Sequence, residues 1–531
     1  MAIVTGFLLA LPSCCIPKLH RADPGAPLPD SFNGATSEEN SAQLGWREFF
    51  NDSTLTGMVE QALNGNQELK ILTQEVRIAN YEIMARRGAY LPFIGLRGRA
   101  GLEKPSLFTP LGAVEDQLQP IPGVGFPEPL PNFLLAAEVS WEIDIWRKLR
   151  NARDASTLRF LATQDGQNYM VTRMVAEVAE NYYDLMALDN RMQALDKTIQ
   201  IQDQSLKMAE AKKAAGRGTE LAVQRFQAEV RKNQSEKLII LQNIIEVENK
   251  VNFTLGRYPQ PVGRISANYL NLSLPNLSVG FPSQLLQNRY DIRQAERELR
   301  AAGLDVRVAR ARFYPSLNLT GAVGYEAFNP RYLFWTPESL IYGVAGDLVA
   351  PLINRAAIKA DYLSANAMQL EKVYEYQRTI LNAFTEVINR LAKVENYGRS
   401  IEFKKRQLAA LEASVDSATA LFQNARIEYM DVLLAQRDMM EAKMVLIETK
   451  QEQLSAIINA YQALGGGGLT PEEIQLLSNG CPLPITVVPT PPELVPKPDP
   501  MPSADLTPTP AQPPAAPELL PPLNAAGAGA K

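Results

Sequence analysis

LAAEVSWEIDI, residues 135–145, sets Leu135, Ala137, Val139, Trp141, Ile143 and Ile145 against Ala136, Glu138, Ser140, Glu142 and Asp144. Strict alternation over this length is the two-residue period of a strand with one apolar and one wet face. Three residues later, at Lys148, proline-free helical composition begins and continues to about Ala215. At ~1.5 Å per residue that helix extends roughly 100 Å. A strand feeding so long a helix is not the plan of a compact enzyme; it is that of a tube or a scaffold.

Other segments repeat the alternation. Ile94, Leu96, Gly98 and Ala100 interleave with Gly95, Arg97, Arg99 and Gly101; Leu317, Leu319, Gly321, Val323 and Tyr325 interleave with Asn318, Thr320, Ala322 and Gly324; Leu340 to Val349 alternates less cleanly. Each has about the 9–11 residues of a tilted transmembrane strand, although a soluble sandwich with polar outer faces has the same pattern. Four strands leave open edges, which lipid does not tolerate, and bacterial barrels begin at about eight strands. A membrane barrel must therefore be shared between chains. Two chains would give a barrel filled by side chains, and three would leave room for a channel. Arg97, Arg99, Glu138, Glu142 and Asp144 would then line a polar lumen of mixed sign, from which no substrate charge is inferred.

The chain is written twice. Ala176-Glu177-Val178 corresponds to Thr385-Glu386-Val387, Glu220 to Val223 corresponds to Met430-Asp431-Val432, and Asn252 to Gly256 corresponds to Tyr461 to Gly465, all at a shift of 209 residues. Upstream, Tyr90-Leu91-Pro92 corresponds to Phe313-Tyr314-Pro315 at a shift of 223, so the first copy carries 14 extra residues, expected in the loop Pro105 to Pro131. Loop insertion is inexpensive because closure entropy grows only logarithmically with length. The stripe Val171, Met174, Val175, Val178, Tyr182 and Leu185 follows one helix face. The first repeat is thus expected over 55–256, with a helix over 55–88, strands near 91–101 and 133–145, and long helices over 148–216 and 220–255. A linker over 257–281 leads to the second repeat, 282–468, with a helix over 282–312, strands near 313–325 and 340–352, and long helices over 356–425 and 431–464. The expected fold class is a membrane β-barrel shared between chains plus an all-α coiled coil, as a tunnel or a scaffold.

Composition narrows the function. Among 531 residues, 58 acidic side chains face 53 basic ones, and the net charge of -5 argues against nucleic-acid binding. A single histidine, His20, leaves no histidine triad or cluster, and Cys14, Cys15 and Cys481 make neither a disulfide framework nor a zinc site. No cofactor and no enzyme chemistry is expected. Ala2 to Leu11 is an apolar run of signal-peptide size, though no Lys or Arg precedes Ile3. Residues 1–13 are expected to be removed and 14–54 to form an N-terminal extension. Leu11-Pro12-Ser13-Cys14 resembles a bacterial lipobox, which would make Cys14 the lipid attachment site; the alternative is that Cys14 and Cys15 are small apolar signal residues. No later stretch of 18 apolar residues occurs, so any membrane span must be β.

These motifs resemble the TolC-like outer-membrane efflux proteins, in particular the lipoprotein branch that serves resistance-nodulation-division pumps. Trp46 to Phe50 with Asp52 and Leu55, then Ala62-Leu63 and Asn66 to Leu69, is similar to that branch's first helix. Ser140 to Trp146 is similar to the end of its second strand, with Arg147 where the family has glycine. Gly280 to Leu286 with Arg289, Asp291 and Ile292 resembles the stretch that opens its second half, with Asn288 and Tyr290 in place of arginine and proline. The likeness spans about Trp46 to Gly468.

The resemblance implies a homotrimer with a 12-stranded outer-membrane barrel and a helical periplasmic tunnel. It also implies partnership with a periplasmic adaptor (membrane fusion) protein and an inner-membrane pump. The tunnel would narrow at the helix tips, Gly216 to Leu221 and Arg426 to Asp431. Asp431 matches a family aspartate that forms an axial ring of carboxylates, which would attract cations; the alternative is a helix N-cap. Arg217, Glu220, Arg426, Glu428 and Tyr429 complete the candidate gate, and a solvated turn is their alternative. A lipid-anchored periplasmic coiled-coil scaffold or adaptor that does not conduct is the competing reading, but it leaves four symmetrically placed strands unexplained. From 469 to 531 a proline-rich, disordered tail is expected, with Cys481 a bystander thiol.

Overall fold

The computed structural model describes residues 16–32, 39–120, 122–351, 355–424 and 426–468. Cys14, Cys15, Cys481, the signal run, the tail and the last position of the 340–352 strand lie outside them. Helix α1 (Trp46–Phe50) leads into α2 (Ser53–Gly65), α3 (Gln67–Ala89), strand β1 (Phe93–Glu103), a short helix α4 (Pro110–Gln117) and β2 (Leu130–Ile143). The long helix α5 (Lys148–Ala214) and its return α6 (Glu220–Thr254) end the first repeat. The second has α7 (Pro282–Asn288), α8 (Tyr290–Ala311), β3 (Ser316–Ala327), β4 (Leu340–Val349), α9 (Ala356–Gln423) and α10 (Tyr429–Ala463).

The helices expected as continuous over 55–88 and 282–312 are each broken once. Asn66 and Arg289 are the breaks, both in extended conformation. They correspond under the 223-residue shift, and each does the same work with a different side chain. Asn66 accepts from the backbone N–H of Glu68 and Leu69, capping α3, and donates to the Thr254 carbonyl at 2.8 Å. Arg289 donates to the Ala463 carbonyl, also at 2.8 Å. Thr254 and Ala463 are the last residues of the two returning helices, so each break ties up an orphan carbonyl at a helix end. The chain then leaves through Gly256 or Gly465, both at positive φ. Arg257 donates to Asn252 O and Gly466 to Tyr461 O, two copies of the same C-terminal closure. At Gly256 a Cβ would lie 2.2 Å from the Gly65 carbonyl oxygen, so the close approach of these two turns requires glycine.

The four strands form one antiparallel sheet in the order β1-β2-β3-β4. Residues 104–129 link β1 to β2 and residues 328–339 link β3 to β4, 26 against 12, which puts the 14 extra residues in the first loop. That loop holds α4, absent from the sequence reading: Thr109 caps it and Pro110 occupies its first turn.

Below the sheet, α8 packs against both α5 and α9, and α10 packs against α9 and α5. All six residues of the Val171–Leu185 stripe are buried in the main core, together with Trp46, Phe49, Phe50 and Tyr461. Phe49 stacks on Tyr461 at 3.9 Å between centroids, and the Tyr461 hydroxyl donates to the Leu44 carbonyl at 2.6 Å. Asp165, buried on α5, meets Arg297 at 2.9 Å and Arg293 at 3.4 Å from α8. In the linker, Arg264 forks onto Asp189 at 2.7 and 2.8 Å and reaches Glu248, and these carboxylates hold its proton more tightly than usual.

The segment before α1 lies along the second repeat. Ile16 and Leu19 pack with Val306, Phe313 and Tyr362. The His20 peptide exchanges two hydrogen bonds with the Asn366 side chain, at 3.0 and 3.2 Å, and Phe32 stacks on Phe384.

Candidate channel surfaces and helix tips

Register decides which side chains share a face of a sheet. Ile94 stands opposite Val139, Val139 opposite Gly321, and Leu317 opposite Leu348. One face therefore collects Ile94, Leu96, Leu135, Val139, Trp141, Leu319, Val323, Tyr342, Val344 and Leu348. Most of these are exposed; Leu96 is 78% and Val344 88% accessible. The opposite face collects Arg97, Arg99, Glu138, Glu142, Asn318, Thr320 and Asp347. An exposed apolar sheet face this continuous is an interaction surface. With one face wet, it is the pattern of a membrane strand array.

The structure brings together Arg97 and Glu138, 3.0 Å apart, and Arg99 lies two residues from Arg97 on the same face. Glu142 pairs with Lys148 at the foot of the sheet. Asp144 corrects the sequence expectation. It falls beyond β2, is buried, and accepts from the backbone N–H of Leu149 at 3.1 Å and of Arg150 at 2.8 Å. The alternating pattern ran on through a residue whose carboxylate serves the positive end of α5. Trp146, two residues further, stacks on Tyr314 and donates to the Pro315 carbonyl at 2.8 Å.

At the other end, roughly 100 Å away along α5, both hairpins turn. Gly216, at φ 71°, lets Arg217 donate back to Lys212 O, and Arg426 donates to Leu421 O in the same way. Asp431 is exposed on the first turn of α10 and accepts from the Glu428 N–H at 3.2 Å. The helix begins at Tyr429, so Asp431 is its third residue and Glu428, not Asp431, is the N-cap; the Asp431 carboxylate reaches back to that cap's N–H and is still open to solvent. Glu220 is bound by Lys213 of its own hairpin, whose ammonium hydrogen bond holds the carboxyl below the usual range. Among the described residues, Arg217 and Arg426 make no ion pair. Tyr429 lies 6.0 Å from Phe226, centroid to centroid.

Of what holds the tips together, only Tyr429 is among the gate residues singled out from sequence. Ala209, Phe226 and Leu433 form a small buried cluster with Leu206, Val223 and Tyr429. The Lys212 ammonium sits 3.5 Å above the Phe422 ring, a cation–π contact that ties the two hairpins. Phe226 and Leu433 lie within two residues of equivalence under the 209-residue shift, a signal that a search for charged groups passes over.

A family model described as outer membrane efflux protein matches residues 58–257 and 281–466. The chain is 26% identical over 465 residues to the cation efflux system protein CusC of Escherichia coli (strain K12), covering 86% of this chain and 97% of CusC. It is 26% identical over 482 residues to the probable outer membrane lipoprotein SilC of Salmonella typhimurium, covering 88% and 98%. A crystal structure of CusC superposes with a TM-score of 0.74 at 24% identity, covering 85% of this chain and 99% of that one. With the family pattern spanning both repeats, and the sheet and paired helical hairpins it implies in place, the chain belongs to the outer membrane efflux protein family.

Proposed function

We propose that the protein is a trimeric outer-membrane efflux channel, conducting substrates from an inner-membrane resistance-nodulation-division pump and a periplasmic adaptor to the outside. The observation that carries this reading is the sheet: one face exposed and apolar, the other polar, and two open edges. Open edges cannot remain in lipid. Three copies would close twelve strands around a lumen wide enough for solutes. The helices also carry exposed apolar surface. Ile71, Ile78, Tyr81 and Met84 form an exposed stripe on α3, and Tyr374 and Leu381, seven residues apart on one face of α9, are exposed as well.

A lipid on Cys14 fits the placement of Ile16, which packs with Phe313 just below the start of β3. Two residues of tether span at most ~7 Å. At the tips, three Asp431 carboxylates would form an acidic ring on the axis, with Arg217, Glu220, Arg426, Glu428 and Tyr429 around it as closing contacts. The gate would open when adaptor and pump engage.

The test is planar-bilayer conductance of detergent-extracted protein together with its oligomer mass. Discrete channels from a species of three chains are expected. A monomer that does not insert would refute the channel and favour the non-conducting scaffold.

A further inference from the structure

The two β-hairpins of this chain are one object drawn twice. Ile94 faces Val139 in the first and Leu317 faces Leu348 in the second, so the leading strands correspond at the 223-residue shift and the trailing strands at 209. The β2–β3 seam between them joins a trailing strand to a leading one. The two free edges of the sheet are again a trailing strand, β4, and a leading strand, β1. Whatever closes the sheet with copies of this chain repeats the β2–β3 seam with those two edges.

The register of that outer seam follows residue by residue. The Val139–Gly321 pair becomes Leu348 opposite Gly98 of the partner subunit, both on the apolar face. The Glu138–Ala322 pair becomes Asp347 opposite Arg99 of the partner subunit, both on the polar face. A second observation is independent of the duplication. Asp347 and Arg99 are both exposed, and among the described residues neither has an ion-pair partner, whereas Arg97 is matched by Glu138 and Glu142 by Lys148. A slip of two residues would set Asp347 against the partner's Arg97, already engaged, or the partner's Gly101. Opposite charges directly across a strand pair stabilise it, and like charges destabilise it. The helical layer has the same unfilled counterpart: Ala301 of α8 is buried, and its equivalent Ile78 on α3 is 66% exposed.

We infer that Asp347 of one copy pairs with Arg99 of the partner subunit at every seam between copies, and that this pair sets the register in which the barrel closes. The inference rests on the multi-copy channel proposed above and deepens it, placing an alternating ring of carboxylates and guanidinium groups on the inner wall.

Disulfide trapping in the full-length protein tests it, since directly opposed residues lie within disulfide reach. In a Cys15→Ser, Cys481→Ser background, which leaves only the proposed lipid-bearing Cys14, Asp347→Cys is combined in turn with Arg99→Cys, Arg97→Cys or Gly101→Cys, and oxidised membranes are compared with controls that carry one introduced cysteine. Asp347→Cys with Arg99→Cys should give covalent multimers several-fold more abundant than either slipped pair. A slipped pair that traps better, or no trapping in a preparation whose native mass is that of several copies, overturns the register. A monomeric native mass instead overturns the assembly itself, and the pair with it. Separately, Asp347→Arg or Arg99→Asp alone should lower the temperature at which the multimer dissociates in detergent, and the double exchange should restore it. A double exchange that restores nothing overturns the ion pair.

Discussion

Replacing Arg289 by alanine should be among the most damaging single changes outside the sheet. Its side chain is 3% exposed. Nε and Nη2 donate to the two oxygens of Asp291 at 3.0 and 2.7 Å, and Nη1 donates to Glu386 at 3.0 Å and to the Ala463 carbonyl at 2.8 Å. Burial works against the guanidinium charge, and the Asp291 and Glu386 carboxylates outweigh it, so the group binds its proton more tightly than usual. Alanine would leave two carboxylates without their cation and a helix-end carbonyl without its donor. Removing one partner of a buried pair costs about 3–5 kcal/mol; Asp291 and Glu386 remain 19% and 27% exposed, which favours the lower end. Asn66→Ala, the equivalent change in the first repeat, removes only neutral hydrogen bonds and a cap, and should cost about 1–2 kcal/mol. Urea unfolding in detergent followed by far-UV circular dichroism measures both. Arg289→Lys should fall between, since an ammonium cannot fork onto Asp291, and adding Asp291→Ala to Arg289→Ala should recover part of the loss. An Arg289→Ala protein within ~0.5 kcal/mol of the parent, the range of an ordinary surface change, would refute this account of the second helix break.

Three further outcomes are expected. Gly256→Ala should destabilise by well over the ~1–2 kcal/mol of a left-handed residue, because its Cβ would press on the Gly65 carbonyl; Gly216→Ala, at similar φ with open space around it, should cost only the conformational part in the same urea assay. Lys450 is buried and donates to Gln453 at 3.0 Å, and burial followed by repulsion from Lys405 lowers its pKa. The folded state then binds fewer protons than the unfolded one below the unfolded value near 10.5, so stability should rise with pH from the lowered folded value up to that point. Lys450→Leu, which installs the residue found at the equivalent Leu241, should abolish that rise; chemical denaturation at stepped alkaline pH measures it. Asp431→Ala should raise channel conductance or weaken block by cations in planar bilayers, and unchanged currents would leave Asp431 only as the third helical residue that accepts from the N–H of the Glu428 cap.

Periodicity carried the fold because the forces that build it are periodic. Alternation in Leu135–Ile145 reported a sheet with two unlike faces, and the Val171–Leu185 stripe reported a buried helix face. Both are summed over many residues and survive individual exceptions. Asp144 shows where the method stops: it continues an alternation by residue type, and nothing local reveals that the next turn is a helix start needing an anion. The breaks at Asn66 and Arg289 were hidden for a related reason, since their partners Thr254 and Ala463 lie far off in sequence. At the tips, the set Arg217, Glu220, Arg426, Glu428 and Tyr429 held one member of the observed closure, Tyr429 beside Phe226, while Leu433 and the Lys212–Phe422 pair lay outside it. Apolar closure of a hairpin leaves no motif, only ordinary residues at the right height.

The matched lengths of the two helical hairpins act as a pair of rulers. One has 67 residues outward and 35 back, the other 68 and 35, the extra residue, Ala356, lying at the sheet end so that both tips keep the 209-residue shift, while the loops at the far end of the sheet differ by 14. A single residue added to one long helix would advance its tip by ~1.5 Å and turn every side chain beyond it by about 100°, so the two tips could no longer meet a common partner at one level. Length drift is tolerated only where nothing measures it. A shorter channel would therefore have to be cut from both rulers at once, by whole heptads on the outward and returning helices alike, and cutting one alone should tilt the end rather than lower it.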